Sequence, residues 1–264
     1  MERINEILRI KPDQVEGKIV KFIKKCFEST GASCAVVGMS GGVDSTVVSY
    51  LTARSIGGDR VVGLSLPENG VTDPHDVADA RDVANSLGIR FRTIEISPVI
   101  ECMKRSIPDR SPEKALPVIN LKPRIRMSIL YYYSNLLNGL VVGCGNRSEI
   151  RAGYLTKFGD GGADLLPIAC LYKTQVLQLA EHIGVPRHII GKKPTAGLWK
   201  GQTDEEELGI SYEKLDRIYA GLDLGLKPLT IARCAGVDIA VVKNVINREK
   251  TTRHKLMPPQ VPKL

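Results

Sequence analysis

Apolar and polar positions along this chain follow two spacings, and the switches between them outline an α/β protein. Over 14–30, Val15, Ile19, Phe22, Ile23 and Cys26 fall on one side of a 3.6-residue helix with lysines opposite, which predicts an amphipathic helix. The apolar run 34–39 predicts a strand, and helical spacing returns from Ser45 to about Ser55. Val61-Val62-Gly63-Leu64-Ser65-Leu66 is a second strand, continuous in the manner of parallel strands covered on both faces. Asp73-Pro74 supplies an N-cap and first turn for a helix over 73–88, stopped at Leu87-Gly88. A third strand is predicted at 91–96, short helical pieces and a loop over the proline-bearing 97–120, and a helix over 123–138. Residues 140–143 make a fourth strand, and a short fifth is expected at 165–168. A helix over 173–183 ends at Gly184-Val185-Pro186. Residues 187–206 read as an irregular lid, with Thr203-x-x-Glu206 as a capping box. Past Gly209 the pattern is all helix, over 211–221 and in two short pieces within 230–248.

Alternating strands and helices imply right-handed crossovers and a doubly wound parallel sheet, Rossmann-type, with a C-terminal helical extension. The chain is read as one domain over 1–264, with a core of about 14–208 and a helical part of about 209–264. In such sheets the ligand sits at the carboxyl ends of the strands, where loops 40–45 and 143–149 would emerge.

Composition narrows the class. The chain has 264 residues, 43% of them hydrophobic, enough for a substantial core, and no apolar run approaches a membrane span. The start, Met1 to Glu6, carries acids and lacks a signal-peptide apolar stretch, so the cytoplasm is the expected compartment and no membrane partner is expected. The six cysteines form no CxxC pair, which argues against a zinc cluster and for reduced thiols. The formal charge of +8 fits a nucleic acid or an anionic small substrate, and does not separate them.

Chemistry concentrates in two loops. Ser40-Gly41-Gly42-Val43-Asp44-Ser45 lies between the first strand and its helix, an arrangement that gathers backbone N–H groups and a positive helix end around a phosphate. Asp44 in such a cradle makes sense if a divalent cation lies between carboxylate and phosphate. Walker A spacing fails for want of a lysine after the last glycine, and the dinucleotide fingerprint lacks its third glycine. The second run spans Gly143-Cys144-Gly145-Asn146-Arg147-Ser148-Glu149 and Tyr154 to Pro167, with glycines interleaved among carboxylates and lysines.

The first loop resembles the pyrophosphate-binding loop of the N-type ATP pyrophosphatases, whose fold is adenine nucleotide alpha hydrolase-like. Together with Thr156-Lys157-Phe158-Gly159-Asp160-Gly161-Gly162-Ala163-Asp164-Leu165-Leu166-Pro167, the chain is similar to ammonia-dependent NAD synthetases from about residue 15 to His254-Lys255. That family amidates the nicotinate carboxylate of deamido-NAD, consuming ATP and ammonia with magnesium and releasing AMP and pyrophosphate. The resemblance implies that Gly38, Met39, Ser40, Gly41, Gly42, Val43, Asp44 and Ser45 hold ATP phosphates, with Asp44 and Glu149 on magnesium. Cys144, where many relatives have threonine, Lys173 and Thr195 fall at the ATP site. Arg124, Lys157, Asp164, His254 and Lys255 match positions that bind deamido-NAD, and Asp160 matches a carboxylate that takes the ammonium proton. A homodimer is implied. With no amidotransferase domain evident before residue 14, free ammonia is the expected donor, or a separate docking glutaminase subunit.

Two other readings remain at the sequence level. The same loop could serve a pyrophosphatase acting on a purine carbonyl or a tRNA base. Thr230 to Lys243 resembles a DNA-binding helix-turn-helix, with Lys243, Arg248, Lys250, Arg253 and Lys255 as phosphate contacts. It leaves the glycine–acid loops unexplained, and no nucleic-acid partner is expected.

Overall fold

The computed structural model describes residues 2–109 and 114–262. In chain order the elements are α1 (Glu2–Leu8), α2 (Pro12–Thr30), β1 (Cys34–Gly38), α3 (Val43–Ile56), β2 (Val61–Ser65), α4 (Pro74–Ser86), β3 (Arg90–Thr93), α5 (Ser97–Ser106), α6 (Ala115–Leu136) and β4 (Gly139–Val142). There follow α7 (Arg147–Ala152), α8 (Lys173–Ile183), α9 (Arg187–Ile190), α10 (Asp204–Leu208), α11 (Tyr212–Asp223), α12 (Pro228–Ala235) and α13 (Ile239–Thr252). The four strands pair in parallel in the order β3-β2-β1-β4. The chain builds outward from β1 to β3 and then crosses back to lay β4 on the other side of β1. That reversal opens a crevice between the carboxyl ends of β1 and β4, where doubly wound sheets bind ligands.

Strand alternation sets the layers, because successive side chains point to opposite faces. Ala35, Val37 and Val61 join a core with Ile19, Ile23 and Phe27 of α2, Val47 and Leu51 of α3, and Val176 and Leu179 of α8. Val36, Val62 and Leu64 face the other way, onto Ile100 of α5 and Ile125 of α6. A third core lies in the C-terminal helices, where Leu215, Ile218 and Tyr219 of α11 pack with Ile231 of α12 and Val242 of α13.

Several expectations need correction. No fifth strand forms at 165–168; Leu165 makes a lone parallel bridge to Val142. The edge donor a strand would use at Val141 is taken by the Asp164 carboxylate at 2.7 Å, and Pro167 has no N–H to offer. Thr203 precedes α10 without capping it through its side chain. The third strand stops at Thr93. The lid contains the short helices α9 and α10, and α6 starts at Ala115, eight residues before the predicted start at 123, and runs through Pro123. The part of the predicted 97–120 loop at 110–113 lies outside the described residues. The N-terminal helix α1, which buries Ile4, went unpredicted because seven residues show too little periodicity.

Candidate active site

The turn after β1 is shaped by backbone constraint. Gly41 has φ +80°, and a Cβ there would stand 2.2 Å from the carbonyl oxygen of Asp76 in α4. Only glycine lets the loop approach α4 so closely. Gly42 caps α3 with no side-chain bond, which leaves the first N–H groups of a 14-residue helix facing the crevice. The Ser45 hydroxyl donates to Gly42 O at 3.0 Å and lies 3.0 Å from the Ser40 hydroxyl, so the turn is braced from within. From the lid, Lys192 donates to Gly41 O at 3.1 Å and pairs with Asp76 and Asp79 of α4.

Across the crevice, the loop after β4 brings a second acid. Asn146 caps α7 in a full capping box with Glu149: Glu149 N donates to the Asn146 side chain at 3.0 Å, and Glu149 Oε2 accepts from Asn146 N at 3.1 Å. The Asn146 amide also donates to Asp44 Oδ1 at 3.1 Å, joining the two loops. Lys173, the first residue of α8, forms an ion pair with Asp44 Oδ2, and its side chain is 3% exposed. Its backbone N–H donates to Ser148 Oγ at 2.9 Å. Fully buried Asp216 of α11 accepts from Ser148 Oγ and, at 2.9 Å, from Thr174 N. Asp216 thereby fixes the start of the helix that aims Lys173.

Charge at this point is out of balance. Burial and the adjacent Asp44 push Glu149 up to about 8, against the pull of Lys173. Burial alone would depress the Lys173 ammonium, but Asp44 and Glu149 outweigh it and raise its pKa. A third acid, Asp204, is also raised by burial, with Lys173 and a Tyr212 hydrogen bond opposing. Its Oδ1 is buried without a hydrogen-bond partner among the described residues. Three carboxylates thus share one lysine, the situation a divalent cation would relieve. Among the described residues no group of three or more acids, histidines or cysteines is placed to hold a metal ion by itself. The two carboxylates of Asp44 and Glu149, linked through Asn146, would suit a hard cation that takes its remaining oxygens from phosphate and water.

Comparison with known proteins identifies the family. The family model described as NAD synthase matches residues 15–259. The chain belongs to the NAD synthase family. The NH(3)-dependent NAD(+) synthetase of Methanosarcina acetivorans is 44% identical over 252 residues, covering 96% of this chain and 98% of that one. Among solved structures, NMN synthetase from Francisella tularensis superposes with a TM-score of 0.85 at 31% identity, over 97% of this chain and all of the other. The NH3-dependent NAD synthetase of Campylobacter jejuni gives 0.81 at 25%, again over 97% and 100%.

The remaining residues that NAD synthase likeness singles out are placed unevenly. Gly38 ends β1 and Met39 follows it, with Met39 N bonded to Leu64 O at 2.9 Å. Cys144 lies beside Gly38 O at 3.8 Å; burial, then Asp44 and Glu149, push its thiol up and disfavour the thiolate. Asp160 caps the turn at Thr156 N at 2.8 Å. The residue keeps solvent access, yet the chain around its carboxyl raises its pKa, opposed by backbone bonds, Lys255 and Arg126. Asp164 is held by Val141 N and, at 3.1 Å, by the Tyr131 hydroxyl. Arg124 is exposed and reaches Lys157 O at 3.3 Å, and the Lys157 ammonium lies 5.2 Å from the Phe158 ring centre. Lys255 donates to Gly153 O and Leu155 O at 2.7 and 2.9 Å, docking the C-terminal turn on the 153–160 loop, while His254 is exposed. Thr195 is exposed on the lid, its hydroxyl accepting from Gly197 N at 3.1 Å.

Sequence reasoning passed over Asn146, Asp204, Tyr212 and Asp216. The Asn146-x-x-Glu149 capping spacing was the available signal for the first. The other three reach the site from at least 55 residues beyond Glu149 and carry no local signature. In the helix-turn-helix reading, Lys255 and Arg248 are committed inward, the latter to Ala152 O at 2.9 Å.

Proposed function

We propose that the chain amidates deamido-NAD with ammonia, cleaving ATP between its α- and β-phosphates. A carboxylate resists attack, because its oxygens already carry charge. A nicotinate oxygen therefore first attacks the α-phosphorus and displaces pyrophosphate. Ammonia then adds to the acyl carbon, the C–O bond breaks, AMP departs and nitrogen sheds a proton. The observation that carries this reading is the meeting of Asp44, Glu149 and Lys173 at the helix-capping glycine turn, between the carboxyl ends of β1 and β4.

In this reading the N–H groups of Gly42 to Ser45 cradle the phosphates, and Lys173 supplies positive charge to them. Asp44 and Glu149 would hold magnesium, which supplies charge neutralisation at the triphosphate when bound. Thr195 and Cys144 border the nucleotide. Arg124, Lys157, Asp164, His254 and Lys255 orient the dinucleotide, and Asp160 accepts the ammonium proton. We infer further that the whole chain acts as one unit, a homodimer in the cytoplasm. What supports the dimer is the pair α5 and α6, which with Ile107 expose Val99, Met103, Leu116, Tyr132 and Leu136. No helix among the described residues is long and apolar enough to cross a membrane.

The resemblance to the Francisella NMN synthetase favours a second reading, with the deamido-mononucleotide as acceptor. Both acceptors are to be incubated with ATP, magnesium and ammonium, and the products weighed by mass spectrometry. NAD formed with at least about tenfold higher kcat/KM than the mononucleotide amide is expected. Preference for the mononucleotide would establish the second reading.

A further inference from the structure

We infer that Asp204 is a positioning residue that receives the Lys173 ammonium when a divalent cation takes Asp44, so that the lid and the metal-binding acids load together. The inference rests on the proposed metal role of Asp44 and Glu149. As the molecule stands, both Asp44 oxygens are engaged, Oδ1 by the Asn146 amide and Oδ2 by Lys173. A cation approaching Asp44 must displace that ammonium. Lys173 is 2% exposed, so until a phosphate arrives the displaced ammonium needs another anion close at hand.

Asp204 is built to be that anion. It is 3% exposed, and its Oδ2 accepts from the Tyr212 hydroxyl at 3.0 Å. Its buried Oδ1 makes no close hydrogen bond among the described residues, a costly state for a buried carboxylate. The neighbouring Tyr154 hydroxyl makes its close bond to Glu207 and acts on the Asp204 carboxyl only as a secondary donor. The Lys173 ammonium rests 5.4 Å from the centre of the Tyr212 ring, the same ring whose hydroxyl holds Asp204. Asp204 is near enough for its charge to act on Lys173, Asp44 and Glu149. The residue opens α10, and its N–H donates to Pro194 O at 3.0 Å, next to Thr195. An ammonium arriving at Oδ1 would therefore fasten the 194–204 segment over the site. The lysine exchanges one carboxylate for another as the cation enters.

The test uses Mn2+ alone with the full-length, metal-free protein, free ion being read by electron paramagnetic resonance. Asp204→Asn keeps an acceptor for Tyr212 and removes the charge. It is expected to weaken Mn2+ binding about tenfold when Lys173 is present, and by less than about threefold in a Lys173→Met background. Equal loss in both backgrounds would overturn the inference, because Asp204 would then act on the metal directly. No loss in the presence of Lys173 would overturn it as well. Glu149→Gln separates the two levels. If it leaves Mn2+ affinity unchanged, the metal assignment itself fails; if it weakens binding while Asp204→Asn is silent, only the role of Asp204 fails. Should Asp204→Asn unfold, Tyr212→Phe keeps the ring and removes the hydroxyl. That variant is expected to lose about threefold in Mn2+ affinity, and an unchanged affinity would overturn the inference.

Discussion

Glu149 carries the clearest chemical signature at the scale of single residues. Its carboxyl is raised to about 8 by burial and by Asp44. A raised acid holds its proton through neutrality, and a cation that needs the carboxylate must displace it. Mn2+ affinity is therefore predicted to climb with pH by up to about tenfold per unit, and to level off above about pH 8. Titration of wild type and Glu149→Gln checks this, since the variant should bind weakly and with a much flatter profile. A wild-type profile flat from pH 6 to 8 would contradict the assignment. Turnover offers a second check. Asp44→Asn and Glu149→Gln are each predicted to lose at least about a hundredfold in kcat, or ~2.7 kcal/mol of barrier. Near-normal rates in both would refute the metal pair. These two acids were legible in the sequence because each sits in a dense local motif. Asp204 and Asp216 were not, because their meaning lies in partners brought from elsewhere in the chain by α10 and α11.

Elements position these groups through their ends. The start of α3 presents bare N–H groups because Gly42 caps it without a side chain, and Gly41 lets the turn press on α4. Gly41→Ala combines a left-handed φ with a backbone collision. It is predicted to cost roughly 1–3 kcal/mol of stability and to raise KM for ATP more than KM for the dinucleotide. Thermal unfolding and steady-state kinetics read the two effects. The start of α8 depends on Asp216 instead. Asp216→Ala would leave Thr174 N and Ser148 Oγ without their buried acceptor, a loss of about 2–4 kcal/mol. A melting temperature unchanged in that variant would show that water replaces the carboxylate. Element order was readable wherever strands were continuous and helices long. The fifth strand misled because Leu165-Leu166-Pro167-Ile168 has the right apolarity, while its neighbour Asp164 occupies the edge donor a strand would need. The break at Pro123 was misread because α6 continues through it, packed on the sheet by Ile125.

Across the whole molecule, the reversal in strand order between β1 and β4 creates the crevice, and both motif loops open into it. The loops' place at the carboxyl ends of strands followed from alternating strands and helices; the strand order came from the structure. A surface for the proposed second copy was not legible in the sequence, since α5 and α6 carry no motif beyond exposed apolar side chains. The dimer proposal predicts that sedimentation equilibrium will find two copies per particle. Met103→Glu with Leu136→Glu should weaken association at least about a hundredfold. A wild-type monomer at micromolar concentration would contradict it.

The account turns on adenylyl transfer to a nicotinate oxygen, and isotopic labelling reads that step directly. Deamido-NAD carrying oxygen-18 in its carboxylate is to be converted with ATP, magnesium and ammonium, and the released AMP weighed. The account predicts AMP carrying one carboxylate oxygen for each NAD formed, with pyrophosphate unlabelled. AMP free of label, or ADP in its place, would contradict it.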